Sequence, residues 1–101
     1  MTPAERIEAA TRRIAERLAD GFQLEDLPVI VGEACEVAEE FNGLSGRAKR
    51  EVAISLVGRI IDETDVPWLP DRFVDPILKG IVPSLIDVVV AAAKGELKVN
   101  Q

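Results

Sequence analysis

Histidine and tyrosine are absent from this chain, and cysteine, tryptophan and methionine occur once each. Without an imidazole, no side chain titrates near neutrality at its ordinary pKa. That excludes Ser-His and Cys-His catalysis and histidine metal sites. A single cysteine forms neither an internal disulfide nor a cysteine-based zinc site. Cys35, between Ala34 and Glu36 in an apolar helical pattern, reads as a small buried hydrophobe, and a lone thiol suits a reducing, cytoplasmic compartment. Positive charge is also scarce: 12 Lys and Arg stand against 18 Asp and Glu, a net charge of −6. Phosphate backbones reward clustered cations, so nucleic acid is a poor partner. The most apolar stretch, Ile77 to Ala93, is interrupted by Lys79, Pro83 and Asp87, whereas a spanning helix needs about 20 predominantly apolar residues. Met-Thr-Pro-Ala-Glu-Arg at the amino terminus has neither the basic nor the apolar region of a secretory signal.

What is present describes one globular domain over residues 1–101, 48% hydrophobic and 30% charged. Thr2-Pro3-Ala4-Glu5 has the form of a capping box with proline at the first helical position. Ile7, Ala10, Thr11, Ile14 and Leu18 then recur at helical spacing, and the helix should stop near Asp20 with Gly21 left-handed beyond it. Phe22 and Leu24 are expected to close one end of the core, and Asp26 to cap a second helix. That helix carries the apolar stripe Leu27, Ile30, Val31, Ala34, Val37, Ala38 and Phe41 and ends at Asn42-Gly43. Ser45 should cap a third helix whose Val52, Ala53, Leu56, Val57, Ile60 and Ile61 form an i, i+3/i+4 pattern.

Residues 65–71 hold Pro67, Trp68 and Pro70 and cannot be regular helix. Asp71 or Asp75 is expected to cap the last helix, which Pro83 either kinks or divides, with Lys94-Gly95 ending it. Apolar residues cover most of its circumference, leaving 75, 79, 83, 84 and 87 as a narrow polar stripe. Such a helix is central to its fold, faces a partner or faces lipid. No strand signal competes. The expected fold is all-α: a compact four-helix antiparallel bundle, five if split at Pro83, with a hydrophobic, proline-kinked last helix.

Two groups of residues stand out as candidate contact surfaces. Glu33, Glu36 and Glu40 share one side of the second helix, and six acids without a base fall between residues 21 and 44. A dinuclear metal site in a bundle would add Glu-x-x-His motifs, which this chain cannot supply, so no metal or other cofactor is expected. The glutamates read as a solvated face, or as an acidic dock for a basic partner. Arg47, Lys49 and Arg50 sit in the first turns of the third helix, against its dipole, and should answer a nearby anion, with the second helix the obvious one. The second group is Trp68, Leu69, Phe73, Ile77 and Ile81. Trp68, braced by Pro67 and Pro70, reads as a plug in the end of its own core or as an interface anchor.

The run Asp65-Val-Pro-Trp-Leu-Pro-Asp, followed by Asp75-Pro-Ile-Leu-Lys, Ile81-Val-Pro-Ser-Leu-Ile-Asp87 and Lys94-Gly-Glu-Leu-Lys98, resembles the tail of small uncharacterised helical proteins from large DNA viruses, phages and environmental sequences. The resemblance implies a virus-related protein and transfers no activity, catalytic residue or cofactor. With no nucleophile–base pair, phosphate-cradling glycine loop or metal motif, the chain is not expected to be an enzyme. The leading expectation is a small helical protein acting through a protein partner or as a homo-oligomer. The alternative is a peripheral membrane-associated or membrane-perturbing protein that exposes residues 77–90.

Overall fold

The computed structural model describes residues 2–93. Helix α1 spans Pro3–Arg17, α2 Leu27–Glu39 and α3 Gly46–Glu63. The final helix is built of three pieces in direct succession: α4 (Val74–Pro76), a π-helical turn (Ile77–Ile81) and α5 (Val82–Ala93). Single 3₁₀ turns at Leu24–Asp26 and Asp71–Phe73 lead into α2 and α4. No strand occurs among the described residues, and the fold is an all-α bundle. The expected helix end at Lys94-Gly95 lies outside the described residues.

The caps explain most of the boundaries. Thr2 Oγ1 accepts from the Glu5 amide at 3.2 Å, and the Glu5 carboxylate accepts from the Thr2 amide at 2.8 Å. That bond holds the Glu5 carboxyl below its ordinary pKa, because it favours the ionised form. Ser45 Oγ accepts from the Ala48 amide at 3.1 Å and starts α3. Asp26 departs from expectation: its carboxylate makes no cap to α2 and instead accepts from the Gln23 amide at 2.9 Å, one turn earlier. The 3₁₀ turn has moved the carboxylate's partner upstream. Helix α1 also ends three residues short of Asp20, although Gly21 takes the expected positive φ of 112°.

Pair contacts fix the directions of the helices. Arg6, near the start of α1, donates to the Glu40 carbonyl just past α2 at 3.4 Å, while Arg17 at the end of α1 pairs with Glu33. Lys49 in α3 meets Glu39 at the end of α2. Arg50 early in α3 meets Asp87 late in α5, and Gly58 farther along α3 lies against Leu78. Consecutive helices α1, α2 and α3 are therefore antiparallel, and the final helix runs antiparallel to α3.

The core belongs chiefly to α2 and α3. Ile30, Val31, Ala34, Val37 and Ala38 from one helix meet Ala53, Leu56, Val57, Ile60 and Ile61 from the other. Each large side chain removed from water in this way contributes about 1.5–3 kcal/mol. Helix α1 adds Ala10, Thr11 and Ile14 on its narrow face, and the Thr11 hydroxyl is satisfied by the Ile7 carbonyl at 2.7 Å. Among the described residues, the final helix contributes fully buried side chains at Val82 and Ile86. It packs on α2 and α3 from outside, so it is not the central helix its composition allows.

Pro83 does not divide that helix. A proline removes one amide and crowds the carbonyl four residues back. Here the preceding turn is widened: the Val82 amide reaches back five residues to the Ile77 carbonyl. The Ser84 hydroxyl donates to the Gly80 carbonyl at 3.0 Å, satisfying an acceptor near the same irregularity.

Candidate functional site

The residues singled out in the sequence fall in three separate places. The first is a closed end. Phe22 is fully buried; its amide donates to the Asp65 carbonyl at 2.7 Å, and its own carbonyl accepts from Trp68 Nε1, also at 2.7 Å. The two rings meet edge to face at 6.0 Å and 65°. The α1–α2 link and the loop after α3 are thus clamped together. Trp68 is the plug of that end. Leu69 is buried as well, so the structure removes it from any contact surface. Leu24, expected beside Phe22, is instead exposed: the 3₁₀ turn that begins there carries its side chain outward.

The second place is the seam between α1 and α2. Glu33 forms an ion pair with Arg17, and Glu36 and Glu40 line the same shallow groove as Arg13 and Arg17. The hydrogen bond to Glu33 raises the pKa of the already basic Arg17. Arginines from α1 therefore lie along the acidic face, although Glu36 and Glu40 remain exposed. A lone α2 suggests an acidic dock. Beside α1 the face is mixed, because the fold brings Arg13 and Arg17 alongside it.

The third place is the outer side of the final helix. Phe73 is 46% exposed with the Arg72 guanidinium over its ring, Ile81 is 50% exposed and Val88 50%. Pro76, Gly80, Ile81, Ser84, Leu85 and Val88 line one open apolar groove. No side chain in that groove carries a charge. Ile77 lies half-buried at its edge and touches the core. This face and the Glu33–Glu40 seam are not brought together, and Trp68 joins neither.

Sequence reasoning missed a fourth feature, a cleft of about 350 Å³ where α2, α3 and α5 meet. Its apolar wall includes Cys35, Ala38, Ala53, Ile86 and Val90. Across its rim run two ion pairs, Lys49–Glu39 at 3.4 Å and Arg50–Asp87 at 3.2 Å. Lys49 thus answers α2, as expected. Arg50 turns to the final helix, which the sequence pattern gave no reason to place there. Arg50 Nε is buried without a hydrogen-bond partner. Burial, then the charges of Glu39 and Glu36, push the Cys35 thiol above its ordinary pKa and keep it protonated.

Among the described residues no group of three or more Cys, Asp or Glu side chains is placed to hold a metal ion, and no helix is long and apolar enough to cross a membrane. No family model matches the sequence, and searches of curated proteins and of solved structures return no significant match.

Proposed function

We propose that this protein acts by binding and not by catalysis, and that its principal contact is a second copy of itself through the outer side of the final helix. The observation that carries this reading is the uncharged groove around Ile81 and Val88, with both residues half-exposed. Contiguous apolar surface of this kind marks association sites on small proteins.

The face is complementary to itself. Turning one copy over about a two-fold axis between Val82 and Pro83 sets Ile77 opposite Val88 of the second copy, Gly80 opposite Leu85, and Ile81 opposite Ser84. Small residues then meet large ones. A lipid surface would be served by cations flanking the face, yet among the described residues 71–93 the cations are Arg72 and Lys79, against Asp71, Asp75 and Asp87. The free, buried thiol of Cys35 supports a reducing compartment.

Sedimentation equilibrium over a range of concentrations tests the reading. A monomer–dimer equilibrium is expected, and Ile81→Glu should shift it to monomer with the circular dichroism spectrum unchanged. A strict monomer at millimolar concentration, or a dimer indifferent to Ile81→Glu, overturns it.

A further inference from the structure

We propose that the cleft between α2, α3 and α5 is a binding site for a small carboxylate carrying a short apolar chain. The site is separate from the outer helix face and does not depend on self-association. Its volume of about 350 Å³ lies within the usual range of small-molecule sites, about 300–1,000 Å³. The space exists because Ala38, Ala53 and Ala91, on three different helices, are too small to fill it. With Ile86 and Val90 they offer apolar wall to a hydrocarbon chain.

The sign of the ligand's head group follows from how deeply the rim charges lie. Lys49 and Arg50 are 21% and 42% exposed, whereas their partners Glu39 and Asp87 are 68% and 64% exposed. All four side chains line the cleft, and the cations are more deeply buried than the carboxylates they contact. An entering anion therefore takes the place of Glu39 or Asp87, the more exposed member of each pair. Arg50 and Lys49 each spend one bond on these carboxylates, at 3.2 and 3.4 Å, so both retain donors.

Helix α3 adds to this preference. It is 18 residues long, and Gly46 at its first position lines the cleft. Ser45 satisfies the Ala48 amide, while the earlier amides of the turn have no partner within the helix. Cations at Lys49 and Arg50 oppose the dipole of this helix end, and a bound anion reverses that penalty. A carboxylate meets the planar guanidinium fork of Arg50 as well.

Titration of the ¹⁵N-labelled full chain with octanoate, below its micelle concentration, tests the assignment. Saturable shifts are expected at Cys35, Gly46, Arg50 and Val90, with acetate and octylamine producing none. Lys49→Gln with Arg50→Gln should weaken octanoate by about tenfold or more, the loss of charge-assisted hydrogen bonds. If the double variant does not fold, Lys49→Gln alone should weaken binding by several-fold, and Arg50→Lys should retain part of the affinity. Absence of saturation, equal binding of octylamine, or undiminished affinity in the folded variants overturns the proposal. So does flotation with anionic phospholipid vesicles that depends on Lys49 and Arg50, which assigns these cations to a membrane surface.

Discussion

Trp68 makes one hydrogen bond and one ring contact, and the two can be separated. In Trp68→Phe the ring contact with Phe22 largely persists, but the Phe22 carbonyl loses its donor. A buried acceptor left unsatisfied costs about 1–3 kcal/mol, and urea unfolding should show a loss of that size. Glu5 gives a residue-scale test of a different kind. Its folded pKa lies below the unfolded one, so its contribution is present at neutral pH and is lost as pH falls through the folded value. Glu5→Gln should therefore melt below the wild type at pH 7. The gap should close in acid, where both side chains are uncharged. These single-residue roles differ in how far the sequence reveals them. Thr2-Pro3-Ala4-Glu5 is a local motif, and its bonds follow from spacing alone. The Phe22–Trp68 clamp joins residues 46 apart, a pairing that no local pattern encodes.

At the scale of elements, the final helix presents two sides of opposite meaning. Ile86 faces the core and Ile81 faces solvent, only five residues away. Ile86→Ala should cost about 2–5 kcal/mol in denaturant unfolding, as large-to-small core changes do. Ile81→Ala should change monomer stability by less than about 0.5 kcal/mol, as surface substitutions do. Periodicity made α2 and α3 legible because each has one stripe and one burial direction. It failed for the final helix, whose apolar residues surround it and leave the buried side undetermined. Only packing against α2 and α3 selects Val82 and Ile86 for the interior. The cleft was invisible for a related reason. It is a volume left by small residues on three helices, and each of them alone reads as ordinary core.

For the whole molecule, the uneven distribution of charge along the chain becomes a distribution in space. Arg13 and Arg17 of α1 come to rest beside the acids of α2, and Lys49 and Arg50 of α3 beside Glu39 and Asp87. Acidic and basic surfaces are therefore mixed in spite of the net charge of −6. The outer groove of the final helix stands apart from this pattern as an uncharged surface. If copies pair there, the melting temperature should rise with protein concentration, because association stabilises only the folded state. Differential scanning calorimetry at several concentrations should record the rise, and Ile81→Glu should abolish it.

The widened turn at Ile77–Ile81 acts as a phase adjuster. An α-helix advances about 100° per residue and a wider turn advances less, so this turn fits one residue more into nearly the same rotation. Forcing Ile77–Ile81 into α-geometry with every residue kept would swing Phe73 around the helix axis while Val82 and Ile86 kept their seats, whereas excising Gly80 at the same time would leave Phe73 near its present azimuth. The wide turn thus keeps the upstream apolar side chains in phase with the anchored downstream half.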